Sequence, residues 1–162
     1  MRFKGLMLVA AFAALGACGG GDAGSAANDT AASAAPPAGG ATSATGTAAP
    51  VTGTVHEVQM LGDEKGYRYE PVNLTVKQGD GVKWIMVSGP PHNVSFQNVA
   101  ANAKAQLSAN MPNQLMDLSS PMMMQPNEEY QMSFANVPPG KYDYVCTPHL
   151  ANNMRGSITV QQ

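Results

Sequence analysis

Residues 51–162 read as an all-β domain, a sandwich or barrel of short strands. Three observations predict it. Apolar and polar residues alternate with a period of two, the signature of half-buried strands. Glycine and proline clusters divide the alternating runs. No βαβ rhythm is present, so a parallel α/β sheet is not expected.

The elements follow in order. Val55 to Met60 opens the domain, with Val58 and Met60 on one face. Asn73 to Lys77 alternates through Leu74 and Val76, and Gly79-Asp80-Gly81 makes a turn. Val82, Trp84 and Met86 share one face of the next strand, with Lys83 on the wetter side. Asn93 to Gln97 sets Val94 and Phe96 together. From Val99 to Met111 the period changes: Val99, Ala103, Leu107 and Met111 recur every fourth residue, which predicts one apolar stripe on a short helix stopped by Pro112. Asn113 to Pro126 has no period and carries Met116, Met122, Met123 and Met124, so a Met-rich loop over the sandwich is expected. Tyr130, Met132 and Phe134 alternate until the Pro138-Pro139-Gly140 turn. Tyr142, Tyr144 and Cys146 then share a face, and Ile158 with Val160 closes the chain.

The N-terminus belongs to no fold. Arg2 and Lys4 precede an apolar run from Leu6 to Leu15, too short to span a bilayer as a helix. Residues 1–17 therefore read as a secretory signal. Leu15-Gly16-Ala17-Cys18 resembles the bacterial lipobox, which makes Cys18 the expected lipid attachment site. Gly19 after it resembles an outer-membrane address. A lipid-anchored location on the periplasmic side of the cell envelope follows. Stable anchoring needs more than one acyl chain, so several are expected on Cys18. Residues 18–50 are almost wholly Gly, Ala, Ser, Thr and Pro, with nothing to bury. They read as a flexible tether with a reach of roughly 30 Å.

The domain carries seven Lys or Arg and nine Asp or Glu, with no basic cluster, so nucleic acid is not an expected partner. With Cys18 assigned to the lipid, Cys146 is alone, and no disulfide forms within the chain. A lone thiol outside the cytoplasm is buried and inert, bonded to another molecule, or held by a metal.

Its neighbours favour the metal. Cys146-Thr147-Pro148-His149-Leu150-Ala151-Asn152-Asn153-Met154 places a thiolate, an imidazole and a thioether in one stretch, and His92 supplies a second imidazole. Two His and one Cys in a plane with a weak axial Met form the ligand set of a blue-copper electron-transfer centre. Each residue alone has a duller reading: a buried thiol, a loop histidine, a packing methionine. A Met ligand is a poor choice for structural zinc, which prefers Cys and His throughout.

Four patterns occur together: Gly79-Asp80-Gly81-Val82-Lys83-Trp84; Pro91-His92-Asn93-Val94; Gly140, Tyr142, Tyr144, Cys146, Pro148 and His149; and Met154, Gly156, Ile158 and Val160. They resemble the plastocyanin-like branch of the cupredoxins, from about residue 51 to 162. The resemblance implies an eight-stranded Greek-key sandwich with one type 1 copper ion under one end. It implies His92, Cys146, His149 and Met154 as ligands, with Asn93 and Thr147 tying the two ligand loops together. His149 is then the ligand whose ring edge meets solvent, in an apolar patch lined by Pro90, Pro91 and Leu150 where redox partners dock. Val145 stands where plant plastocyanins often carry a surface tyrosine, so a plant-type acidic docking site is not expected. Asn153 replaces a frequent glycine, and Asn tolerates the left-handed backbone needed there.

Electron transfer is thus the expected function, with no enzymatic turnover. The competing reading is a periplasmic copper(I) store or chaperone, prompted by Met122 to Met124 because thioethers suit copper(I). Packing is the simpler account of that run. His56, the remaining histidine, reads as a lone surface residue of the first strand.

Overall fold

The computed structural model describes residues 47–162. Eight strands form two four-stranded sheets, and one short helix lies between β5 and β6. The strands are β1 (Val55–Asp63), β2 (Gly66–Glu70), β3 (Asn73–Lys77), β4 (Gly81–Met86), β5 (Ser95–Phe96), β6 (Glu129–Ser133), β7 (Gly140–Val145) and β8 (Arg155–Gln161). One sheet has the order β2-β1-β4-β6, the other β3-β8-β7-β5. Pairing is antiparallel except for β1 with β4 and β3 with β8.

The expected alternation places the core. Val58, Met60, Val82, Trp84 and Met86 are buried on one sheet, and Val76, Tyr144, Ile158 and Val160 on the other. Trp84 is fully buried and meets Phe96 and Tyr144 edge-on at 6.4 and 5.6 Å between ring centroids. Edge-to-face pairs of this kind add to the stabilisation from burial alone. The helix α1 (Ala101–Asn110) buries Ala103 and Leu107, with Met111 just beyond its end, so the fourfold stripe packs as expected. Asn110 is buried at its end and donates to the carbonyls of Ser133 and Ala135, while its own oxygen accepts from Ala49 N. Thr47 O also accepts from the Gln106 amide, so residues 47–49 are already tied to α1.

Three details differ from the sequence reading. β2 is a hairpin partner of β1 that was not foreseen. β5 has only two residues, because Asn93 and Val94 are used by the loop before it. His56 is not alone: its Nε2 lies 2.9 Å from Asp80, which also accepts from Thr54 N and Lys77 N. The pairing joins β1 to the turn before β4.

The lipid anchor and membrane-bound location expected above are withdrawn, and with them the membrane as a partner. Among the described residues the sole cysteine is Cys146, which is buried in the interior and not available to a lipid. No helix among them is long and apolar enough to cross a membrane. Cys18, the signal at 1–17 and most of the linker at 18–50 lie outside the described residues.

The loop after β4 is held close to β1 by two glycines. A Cβ on Gly89 would meet Gly62 Cα at 2.5 Å, and Gly89 has φ +74°. Backbone faces backbone there, so no flexible side chain can give way. Gly89→Ala is expected to cost about 2–4 kcal/mol from overpacking and left-handed strain. A urea titration of the purified domain, compared with the unsubstituted protein, measures it.

Candidate metal centre

The centre lies where three strand ends meet. β4 ends at Met86, and the connection from 87 to 94 carries His92 towards β5. β7 ends at Val145, so Cys146 is fixed by a strand whose neighbours on both sides are paired. The chain then makes a 3-10 turn at Leu150–Asn152 and returns as β8. That return is closed by backbone bonds: Cys146 N donates to Met154 O at 3.1 Å, and Met154 N donates to His149 O at 3.2 Å. Asn153 adopts the left-handed conformation expected of it, with φ 59°.

Three donor atoms converge. Cys146 Sγ lies 3.6 Å from His92 Nδ1 and 3.4 Å from His149 Nδ1. All three groups are buried, and their ligand atoms lie within 4.8 Å of one another. Metal bonds of about 2.0 Å to nitrogen and about 2.3 Å to sulfur, as zinc shows, need N···S separations of roughly 3.7 Å in a trigonal plane. The observed spacing meets that within a few tenths of an ångström, so the donor set fits one ion. Met154 is fully buried at the end of the same loop.

The surroundings prepare these atoms for a metal. His92 Nε2 lies 2.8 Å from Ser88 O and donates to it, which leaves Nδ1 as the lone-pair nitrogen facing the sulfur. Burial lowers the pKa of His92 despite the opposing effect of the Ser88 bond. Burial also lowers that of His149, and the nearby His92 lowers it further. Both rings are thereby kept neutral. Burial pushes the Cys146 thiol up, against the backbone N–H groups of Asn93 and His149 and the Tyr69 hydroxyl. Binding a metal therefore means displacing a proton from sulfur.

The expected link between the ligand loops is present. Asn93 Oδ1 accepts from Thr147 N at 2.7 Å, and Asn93 Nδ2 donates to the Thr147 hydroxyl at 3.2 Å. The same amide reaches the Ser119 hydroxyl at 3.1 Å, which draws the Met-rich loop into the network. That loop also pairs with His92: His92 N donates to Met123 O at 3.0 Å and Met123 N to His92 O at 2.8 Å. Met123 is buried and packs, whereas Met116 and Met124 are more than half exposed.

Two tyrosines at the centre were missed. Tyr67 stacks on His149 with ring centroids 3.6 Å apart and planes 13° from parallel. His149 is 7% exposed, whereas His92, Cys146 and Met154 are fully buried, so His149 is the one of the four that reaches the surface, with Tyr67 over one face of its ring. Tyr67 stands opposite Gly62 in the β1–β2 ladder, and a Cβ there would lie 2.6 Å from its ring. The glycine clears the space that lets the ring reach the imidazole. Tyr69, two residues on, is fully buried, and its hydroxyl donates to Asn93 O at 2.6 Å. The alternation Tyr67-Arg68-Tyr69 was the available signal for both. Around the imidazole, Leu150 is exposed and Pro91 half-buried, so an apolar face does surround His149.

With a sandwich of this topology and a buried His-Cys-His cluster at one end, the molecule is a type 1 copper protein with a single copper site. Residues 56–161 match the copper binding proteins of the plastocyanin/azurin family, and the chain belongs to that family. It is 34% identical over 111 residues to the plastocyanin of Synechococcus sp. (strain JA-2-3B'a(2-13)), covering 68% of this chain and 76% of the relative. It is 36% identical over 105 residues to the plastocyanin of Nostoc punctiforme (strain ATCC 29133 / PCC 73102), covering 62% and 70%. The structure resembles oxidized plastocyanin from Dryopteris crassirhizoma with a TM-score of 0.52 and 25% identity, over 65% of this chain and all of that one.

The neutral histidines give the metal-free protein a pH dependence. Both pKa values lie below the ordinary value in the folded state, so on acidification the unfolded chain takes up protons that the folded chain refuses. The stability of the metal-free domain is expected to fall as pH drops through the ordinary histidine range and below. Denaturation midpoints at a series of pH values, with and without copper, measure it. With copper bound the fall should begin at lower pH, because the ion competes with the protons.

Proposed function

We propose that His92, Cys146, His149 and Met154 ligate one copper ion, and that the protein carries single electrons between partner redox proteins. The observation that supports this most is the buried triad of Nδ1, Sγ and Nδ1 atoms at trigonal spacing. Bound copper supplies a one-electron change between its +1 and +2 states. The chain's residues keep the donors still while that change occurs. His92 is fixed through Ser88 O on one side of its ring and through Met123 on its backbone. Cys146 is fixed by β7 and by the bond to Met154 O. Asn93 holds the two loops at a constant separation. A cage of this kind leaves the ligands little freedom to rearrange between oxidation states, which is what rapid electron exchange requires. Water is excluded by burial and by the Tyr67 ring over His149.

A protein of this family is an electron carrier and not an enzyme. Storage or delivery of copper(I) is the second reading, favoured only by the exposed thioethers of Met116 and Met124. An enclosed triad is poorly suited to surrendering its ion, and Met123 is committed to packing. Residues 1–17 act, in our reading, as a secretory signal and 18–50 as a linker, so the domain works outside the cytoplasm. No membrane anchor is part of this proposal.

Loaded with one equivalent of copper(II), the purified domain should be intensely blue and show a narrow hyperfine splitting in its EPR spectrum. A colourless copper(II) form with ordinary splitting would rule out the electron-transfer reading. Cys146→Ser should abolish the colour while the circular dichroism of the sandwich persists. Titration with copper(I) should saturate at one ion per domain; a second tightly held ion would instead favour storage.

A further inference from the structure

The Met-rich segment was expected as a loop over the sandwich, yet residues 118–123 run beside the His92 segment as a backbone ladder. His92 and Met123 exchange both of their backbone bonds, at 3.0 and 2.8 Å. Ser120 N donates to Val94 O at 2.9 Å, and Phe96 N donates to Leu118 O at 3.0 Å. Val94 N donates to the Ser120 hydroxyl at 2.9 Å. On its other edge β5 pairs with β7, the strand that leads to Cys146. The His92 segment is thus held from both sides.

Ser119 lies within this ladder, 1% exposed, and its hydroxyl accepts from Asn93 Nδ2 at 3.1 Å. The other two bonds of the carboxamide, at 2.7 and 3.2 Å, both go to Thr147. Those two set a distance between the ligand loops but leave Asn93 and Thr147 free to move as a pair. The terminal torsion of an asparagine is soft, so its surroundings must fix it. Among the described residues, Ser119 is the one partner of this amide outside both ligand loops. Its own position is secured. Ser119 N donates to Met116 O at 2.9 Å, and Ser119 O accepts from Leu115 N at 3.0 Å. Gln114 carries that anchoring to α1, accepting from Leu118 N at 2.8 Å and donating to Ser108 O at 2.9 Å.

We propose that Ser119 is a positioning residue for electron transfer, fixing the Asn93 carboxamide so that the ligand loops keep one arrangement in both oxidation states. The proposal rests on the type 1 copper reading. The segment between α1 and β6 is thereby part of the centre, although it supplies no ligand.

Ser119→Ala removes the acceptor and leaves the backbone ladder in place. Swinging Asn93 away from Thr147 then breaks one bond fewer. Exchange of the Thr147 N–H with deuterated solvent should speed up roughly two- to tenfold, the worth of one such bond. Electron self-exchange between reduced and oxidised copies, read from NMR line broadening, should slow, because the looser cage rearranges with each transfer. Ser120→Ala is the control. That hydroxyl is equally buried in the same ladder but bonds only backbone groups, Val94 N and Pro121 O. It should lower the denaturation midpoint and leave both readouts unchanged. The proposal is overturned if either readout stays unchanged in folded Ser119→Ala, or if Ser120→Ala moves either one as far. A purely structural role would lower the denaturation midpoints of both variants and nothing else. Should Ser119→Ala not fold, nitrogen-15 relaxation of the Asn93 side-chain amide in the unsubstituted protein decides. An amide as rigid as the backbone supports the proposal, and a mobile one refutes it. Failure of the copper reading is seen separately, as an unsubstituted protein that is never blue, while amide exchange in the metal-free protein still tests the link.

Discussion

The carboxamide of Asn93 accepts from Thr147 N at 2.7 Å and donates to the hydroxyls of Thr147 and Ser119. Asn93 is fully buried, and its bond to Ser119 is buried with it, while the two to Thr147 run to the part-buried edge of the site. One side chain thereby sets the distance between the loop of His92 and the loop of Cys146 and His149. Without it, three polar groups would lose partners together, and the buried Ser119 hydroxyl alone would cost about 1–3 kcal/mol. The N···S distances at the centre, 3.6 and 3.4 Å, are a consequence of that spacing. A metal site made of short-range donors depends on a bond network that no metal supplies.

The sandwich makes the network rigid. Cys146 follows β7, a strand paired on both edges, and His92 precedes the short β5 that pairs with the same β7. Beneath the centre, Trp84, Phe96 and Tyr144 pack as mutually edge-on rings. Movement of one ligand loop would have to disturb strand pairing and ring packing together. The position of the site at one end of the sheets therefore follows from the core, and the ligands inherit its stiffness.

How much of this was legible in the sequence depends on whether a feature is local. The Cys146 to Met154 stretch is contiguous, and its residue types are rare enough together to declare a metal. His92 lies far from it in sequence, but Pro91-His92-Asn93-Val94 marks it. Asn93 and Thr147 each follow a ligand directly, so their link could be named as well. Strand alternation gave most of the core, and the fourfold stripe gave α1. What escaped was relational. The Asp80 partner of His56 is set by a turn folding onto β1. Tyr67 and Tyr69 lie in a strand whose register against β1 decides which way they point, and charged residues around the hairpin obscure the alternation. The stacking of Tyr67 on His149 could not be foreseen either, because it depends on Tyr67 standing opposite a glycine.

The two tyrosines nonetheless obey a simple rule. Residues i and i+2 of a strand project to the same face. β2 therefore sends both phenols towards the metal end, Tyr67 to His149 and Tyr69 to the Asn93 carbonyl. Tyr67 lies flat on an imidazole and offers it no donor, so its effect is to exclude water and hold the ring. Tyr69 donates its hydroxyl to the Asn93 carbonyl, so its effect is to hold the backbone next to His92. One short strand outside both ligand loops thus acts on the centre in two chemically distinct ways. Gly62 permits the first by leaving room, and Tyr144 enforces the second by blocking rotation of the ring. The part of the fold that most distinguishes this centre is accordingly the β1–β2 hairpin, although it contributes no ligand.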